Sequence, residues 1–288
     1  MFFYLYIRYL QAMLHYFTHK NFFAGYCYQL SLMIFLVLIG GSTAHAEIQA
    51  DSAGAPGFKF STVVIDAGHG GKDPGAHGAY SQEKNVALRI ALKVRDIIHN
   101  ELPTLRVVMT RTTDKFIELQ RRSDIANNAK ANLFISIHCN SSPERASSRS
   151  GTLLLIYGYH RKDEQLEALR ENASIYQEKD YTTRYSGYKG NDPAYFILLN
   201  AFMQKYRAQS IKFGNLLNDE FTGHDKRRSV GVKEQGVLVL AHSAMPAVLV
   251  ETGFINNRTE EKYLNSADGQ NEIAHSIVRA LRKYKSSL

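Results

Sequence analysis

Residues 60–98 read FSTVVIDAGHGGKDPGAHGAYSQEKNVALRIALKVRDII. The stretch opens on a β-branched, apolar run at 60–65 that halts at Asp66, Ala67, Gly68, His69, Gly70 and Gly71. Such a run predicts a buried strand, and the glycines predict that it ends in a loop. From Glu83 the apolar period changes. Ala87, Ile90, Ala91, Val94 and Ile98 fall on one helical face and Arg89, Lys93 and Asp96 on the other, so an amphipathic helix opens at Glu83.

The same alternation continues downstream. Residues 105–110 read as a second strand, 119–129 as a second helix, and 132–137 as a third strand ending at His138. A fourth strand covers 152–157, a fifth covers 247–250 and ends at Glu251, and 271–284 closes the chain as a helix. Strands alternating with helices predict an α/β fold, with a mostly parallel or mixed central sheet flanked by helices on both faces. Residues 58–288 form one domain on this reading, with no internal repeat and no low-complexity tract.

Residues 160–207 break the rhythm and read as a helical insertion: a charged helix around 163–176, a polar loop over 181–193, and a long helix from Ala194. In that helix Tyr195, Leu198, Leu199, Phe202, Met203 and Tyr206 share a face suited to docking on the core. Phe196 and Ile197 add apolar surface off that face, which calls for a second contact, either over the functional site or with another protein.

The amino terminus reads as an export signal. Lys20 precedes the apolar run 30–39, and Ala44 and Ala46 form a small-residue cleavage site, placing cleavage after Ala46. The run is short for a membrane span; an uncleaved anchor is the alternative reading. A start at Met13 would shorten the aromatic stretch ahead of it, and residues 47–57 follow as a linker. An exported chain is periplasmic or extracellular, with no stable membrane insertion once cleaved. The chain has 35 Lys plus Arg against 27 Asp plus Glu, formally +8; only Arg8 and Lys20 precede the cleavage point and no acid does, leaving +6. That surface suits an anionic cell wall. No helix is densely loaded with Lys and Arg and no aromatic stacking motif is present, so nucleic acid is not an expected partner. Cys27 leaves with the leader and Cys139 has no partner, so no intramolecular disulfide is expected.

Three metal-ligand residue types stand where an α/β sheet places its sites: His69 after the first strand, Glu83 at the head of the first helix, and His138 at the end of the third strand. Two imidazoles and a carboxylate suit zinc, which with three protein ligands keeps a fourth position for water and lowers its pKa to about 7. Spacing alone leaves each of them open to a plain surface or core role. His99, His224 and His275 have no comparable setting. Asp73 and His77 lie in the first loop, where an Asp more often fixes its own backbone. Glu251, ending an apolar strand at the same sheet edge, is a desolvated carboxylate suited to proton transfer, or else a strand-end ion-pair partner.

The segments VVIDAGHGGKDPGAHG (63–78), EKNVAL (83–88), RTTDKFIELQRRSDIAN (111–127), FISIHCN (134–140) and PAVLVETGFINN (246–257) resemble, in order, the zinc-dependent N-acetylmuramoyl-L-alanine amidases of bacteria (amidase type 3). The resemblance spans nearly all the chain beyond the leader apart from the insertion. It implies one Zn2+ held by His69, Glu83 and His138, Glu251 as catalytic acid/base, and peptidoglycan as substrate, cut between the lactyl group of N-acetylmuramic acid and L-alanine for wall remodelling or daughter-cell separation. Some relatives carry an inserted helix whose carboxylate fills the open coordination position until a partner removes it; Glu171 and Glu178 are the candidates here, with an activator protein as the implied partner. In the alternative, the insertion shapes the substrate groove, with Tyr181, Tyr185 and Tyr188 as contacts.

Two positions depart from the family pattern. Tyr80 stands where a glycine often precedes the ligand Glu, so that loop is expected to differ in shape. Cys139 replaces a small residue after the ligand His; strand alternation turns it away from His138 into the apolar core. Two competing functions remain, a catalytically silent wall-binding or regulatory homologue and a zinc peptidase of the stem peptide. A silent homologue is expected to lose a ligand or the base, and all four residues are present.

Overall fold

The computed structural model describes residues 59–158, 165–186 and 193–288. The leader, its cleavage site, the linker, His160, Asp163 and Tyr188 lie outside them. Among the described residues no helix is long and apolar enough to cross a membrane.

The strands are β1 (Thr62–Ala67), β2 (Arg106–Met109), β3 (Leu133–Asn140), β4 (Thr152–Tyr157), β5 (Ser229–Gln235) and β6 (Ala247–Phe254). They form one sheet in the order β2-β1-β3-β6-β4-β5. All neighbours run parallel except β4 and β6, which are antiparallel, so the sheet is mixed. The helices are α1 (Glu83–Glu101), α2 (Leu119–Asn128), α3 (Leu166–Asn172), α4 (Pro193–Asp219), α5 (Leu238–Ala241), α6 (Arg258–Asn265) and α7 (Ala267–Ser286), with a single helical turn at Tyr181–Arg184.

Strand alternation divides the core in two. Val63, Ile65, Ala67, Ile135, Ile137, Cys139, Val248 and Val250 pack on one face with Ile90, Val94, Phe213, Ile277 and Leu281. Val64, Phe134, Leu153, Leu155 and Leu249 pack on the other with Leu119, Ala126 and Val239. Both faces are covered by helices, which is why the central strands are apolar at every core position. Continuing the second face toward the carboxyl ends of β1, β3 and β6 brings up Asp66, Ser136, His138 and Glu251 in place of apolar residues. The site is therefore an extension of one core face. Cys139 lies in the opposite face, as alternation required.

Three sequence expectations need correction. β5 went unread because SVGVKEQ is a half-exposed edge strand with Gly231 at φ +92 and charges at 233 and 234, and so lacks an apolar signature. The charged helix expected over 163–176 is split: α3 stops at Asn172 and a 3₁₀ turn covers Ala173–Gln177. No break marks the insertion's expected end near Arg207: α4 starts at Pro193, a favoured first helical position, and runs on to Asp219 with Phe213 and Leu217 fully buried in the core. The long helix belongs to the insertion and to the core at once. Leu198, expected on its docking face, is 45% exposed.

Candidate active site

His69 leaves β1 in the left-handed region, at φ 55. Its backbone is held by two arginines of the 111–127 segment. Arg111 donates to the carbonyls of Ala67 (2.9 Å), Gly68 (2.6 Å) and Lys84 (2.8 Å). Arg122, buried on the inner face of α2, donates to the carbonyls of Ala67 and His69 (2.7 Å each) and to Asp66 Oδ1 (2.8 Å). Three backbone carbonyls in a row face these two guanidinia, and Lys84 O ties the loop to the head of α1. Gly68 has no alternative here: a Cβ would lie 2.4 Å from the His138 ring.

Burial alone would raise the Asp66 carboxyl, but Arg122, Ser136 and Thr110 hold it below its usual 3.8. Its stabilising contribution is full above the unfolded-state pKa and is lost as pH falls through the lower folded value. Arg122→Ala would leave Asp66 buried without its cation and is expected to cost about 3–5 kcal/mol of stability. Denaturant unfolding measures this; a loss below about 1 kcal/mol would mean that the pair does not organise the loop.

The structure brings together His69, Glu83 and His138, and adds Glu171 from α3; the four offer ligand atoms within 4.8 Å of one another, and all are buried. Glu83 Oε1 lies 3.2 Å from His69 Nε2 and 3.0 Å from His138 Nδ1. Glu171 Oε2 lies 3.4 Å from His69 Nε2 and 2.8 Å from His138 Nδ1. Glu83 is anchored by the amides of Cys139 (2.9 Å) and Ala76 (2.8 Å). Asp73 stands outside the cluster and accepts from His69 Nδ1 at 2.9 Å, with Ser174 donating to the same carboxylate. That bond assigns the ring proton to Nδ1 and leaves the Nε2 lone pair facing the cluster. Gly75, at φ 66, passes where a Cβ would meet both Glu83 and His69 at 2.6 Å.

Glu251 is fully buried and sits in register beside His138 on the neighbouring strand. Burial pushes its carboxyl up to about 8, with the nearby Arg170 guanidinium pulling the other way and the carboxylates of Glu171 and Glu83 pushing it further up. Arg170, which precedes Glu171, donates to Glu251 Oε1 at 2.7 Å and to Glu171 Oε1 at 3.0 Å. Nothing in the sequence pattern singled out Arg170.

The donor set fits a divalent metal ion. His69 Nε2 is buried with no hydrogen-bond partner, 3.4 Å from the buried Glu171 Oε2. The cluster also demands positive charge. Burial would lower the His138 pKa, yet Glu171 and Glu83 raise it to about 9, and His69 is likewise raised by Glu83, Asp73 and Glu171. A cation bound by two imidazoles and a carboxylate supplies that charge without protons, as zinc does with nitrogen and oxygen donors.

The other candidates fall elsewhere. His77, His99, His224 and His275 are exposed and away from the cluster. Glu178 is buried at the start of α2, where it accepts from the Leu119 amide at 3.0 Å and from the Tyr185 hydroxyl at 2.8 Å. It fastens the insertion to the core and is no ligand of the cluster. Tyr185, expected as a substrate contact, is 5% exposed and committed to that bond. The loop at Tyr80 is held by Glu261, which accepts from the amides of Ala79 (2.9 Å), Tyr80 (2.9 Å) and Ser81 (3.0 Å). With the loop carried by backbone amides, the Tyr80 side chain is left 66% exposed.

Comparison with known proteins gives this arrangement a family. The AmiC N-acetylmuramoyl-L-alanine amidase of Escherichia coli O6:H1 is 33% identical over 225 residues, 77% of this chain and 52% of AmiC, so the chain spans about half the length of that relative. AmiA of Escherichia coli K12 is 31% identical over 252 residues, 86% of this chain and 82% of AmiA. The solved structure of the CwlD amidase from Clostridioides difficile in complex with the GerS lipoprotein superposes with a TM-score of 0.57 at 25% identity, covering 78% of this chain and 98% of that one. The family model described as N-acetylmuramoyl-L-alanine amidase matches residues 63–283, a stretch that holds every residue of the site, and the chain belongs to that family.

Proposed function

We propose that the chain is an exported hydrolase that cuts the amide bond between the lactyl group of N-acetylmuramic acid and L-alanine in peptidoglycan, with zinc held by His69, Glu83 and His138. The carrying observation is the buried convergence of His69, Glu83, His138 and Glu171, whose ligand atoms lie within 4.8 Å of one another, with Glu251 in register beside His138. When bound, the zinc ion supplies Lewis acidity to the scissile carbonyl and acidifies water. Glu251 takes the proton of the attacking water and passes it to the leaving amine, a transfer favoured by a carboxyl whose pKa burial brings toward neutrality. His69 is kept in the ligating tautomer by Asp73, and the Cys139 and Ala76 amides hold the Glu83 carboxylate in place.

The insertion closes this site. Glu171 occupies the side of the cluster where a fourth ligand belongs, and Arg170 holds Glu251, so the described state is a self-inhibited one on this reading. Leu166 and Leu169 on α3 and Ile197 and Leu198 on α4 are 45–70% exposed, an apolar surface suited to an activating protein. The GerS complex of CwlD is a precedent for a protein partner on this fold.

Purified peptidoglycan treated with the zinc-loaded chain is expected to release new amino-terminal L-alanine beside intact lactyl groups. Cleavage within the stem peptide would indicate a peptidase, and no cleavage under any activating condition a silent homologue. His138→Ala is expected to lose both metal and activity; full zinc content in this variant, read by elemental analysis, would overturn the ligand assignment.

A further inference from the structure

We infer that Asn140 is a catalytic residue whose side-chain amide nitrogen donates a hydrogen bond to a substrate oxygen at the scissile amide, an inference that rests on the hydrolase reading above. At the site, four buried polar atoms have no hydrogen-bond partner: His69 Nε2, Glu171 Oε2, Glu251 Oε2 and Asn140 Nδ2. The first three carry lone pairs, and a metal ion or a proton accounts for them. The fourth does not fit that account. An amide nitrogen has no lone pair to offer a metal, and only an acceptor can answer it.

Which end of the amide is which is settled by its neighbours. Oδ1 accepts from the Ser141 amide at 2.7 Å and from Arg170 Nη1 at 2.8 Å, both obligate donors, so the nitrogen is the free end. Its place follows from the strand. Asn140 is two residues beyond His138 on β3. The bulge between β3 and β6 pairs His138 with Glu251 but Asn140 with Phe254, so the extra residue lies on β6 and the alternation of β3 is kept. Cys139, between them, packs in the opposite core face. One Arg170 guanidinium bonds Asn140 Oδ1 and, at 2.7 Å, Glu251 Oε1, which puts the Asn140 amide beside the acid/base.

Asn140 is 1% exposed, and a buried donor left unpaired costs about 1–3 kcal/mol. That cost is carried by the closed state; once α3 withdraws, a substrate oxygen entering the site is the acceptor the donor lacks. The group is neutral and does not titrate, so it stabilises charge developing on that oxygen without competing for the proton that Glu251 carries.

The test uses the mature, zinc-loaded chain with Arg170→Ala and Glu171→Ala, which removes both contacts made by α3. Asn140→Ala and Asn140→Asp are compared in it. Asp keeps the oxygen that Ser141 N–H needs and, above its pKa, has no donor, so it is read at alkaline pH. Both variants are expected to lose kcat/KM on peptidoglycan by on the order of a hundredfold, with zinc content unchanged in both and, for Ala, the pH profile unchanged; Ala alone, which strips the Ser141 N–H of its acceptor, is expected to melt a few degrees lower. With Glu251→Gln added to stop turnover, both are also expected to bind a soluble muramoyl-peptide fragment at least several-fold more weakly by calorimetry. Near-unchanged kinetics and binding in Asn140→Asp would show that only the acceptor matters and overturn the proposal, as would joint loss of zinc and thermal stability in both variants. If the parent chain releases no L-alanine amino termini, the hydrolase reading fails, and the calorimetric comparison still decides whether Asn140 contacts the fragment.

Discussion

Glu251→Gln is expected to retain zinc and to lose peptidoglycan hydrolysis by on the order of a hundredfold or more, the range of general acid–base catalysis by one side chain. The substitution is close to isosteric. The Gln carbonyl oxygen can still accept from Arg170, and the fully buried position next to His138 need not repack. What disappears is the proton carrier. Glu251 Oε2 has no hydrogen-bond partner in the structure, on a residue paired with His138, so no hydrogen bond within the protein competes for its lone pair. Elemental analysis for zinc and quantitation of released L-alanine amino termini separate the two effects. A rate near wild type with zinc in place would move the acid/base role to another carboxylate, and Glu171 is the only other one of the cluster not expected to ligate zinc in the open state.

The second large effect has the opposite sign. Replacing Arg170 and Glu171 together with Ala is expected to raise hydrolysis by the otherwise unassisted chain about tenfold to a hundredfold. Glu171 is 3% exposed and held by His138 and Arg170, which together keep its carboxyl well below the usual range in spite of burial. Hydrogen bonds to charged groups contribute about 1.5–3 kcal/mol each, and about 1.4 kcal/mol shifts a closed–open equilibrium tenfold. The remaining fasteners, Asn172 to Gly236 and Leu238, Glu178 to Leu119, and Ser174 to Asp73, keep the increase finite. Excising the insertion as a block is a poorer test, because α4 is continuous from Pro193 to Asp219 and its second half carries Phe213 and Leu217 into the core. A well-folded, zinc-loaded double variant with unchanged or reduced hydrolysis would show that α3 serves the substrate and does not exclude it.

The sequence by itself determined the α/β class, the strands that carry His138 and Glu251, the loop after β1 that carries His69, the helix start that carries Glu83, and the inward turn of Cys139; it ended those two strands too early, since β3 runs on to Asn140 and β6 to Phe254. All of these depend on local periodicity: a strand places neighbours on opposite faces, a helix repeats every 3.6 residues, and glycines end both. Tertiary structure alone decided the rest. That β4 runs antiparallel to β6 and that β5 forms the edge are matters of pairing between segments far apart in the chain. Arg122 carries no periodic signal, since a charge on a helix face reads as solvated until the fold sets Asp66 and the carbonyls of Ala67 and His69 against it. Glu171 and Glu178, seven residues apart on one charged segment, were equivalent candidates in sequence. The turn of chain between them sends one into the cluster and the other to the amide of Leu119, because the break at Asn172 rotates their faces apart. Asn140 and Arg170 meet at Glu251 for the same reason: long-range packing, which no window of sequence contains, sets which polar groups are buried together and which of them are left without a partner.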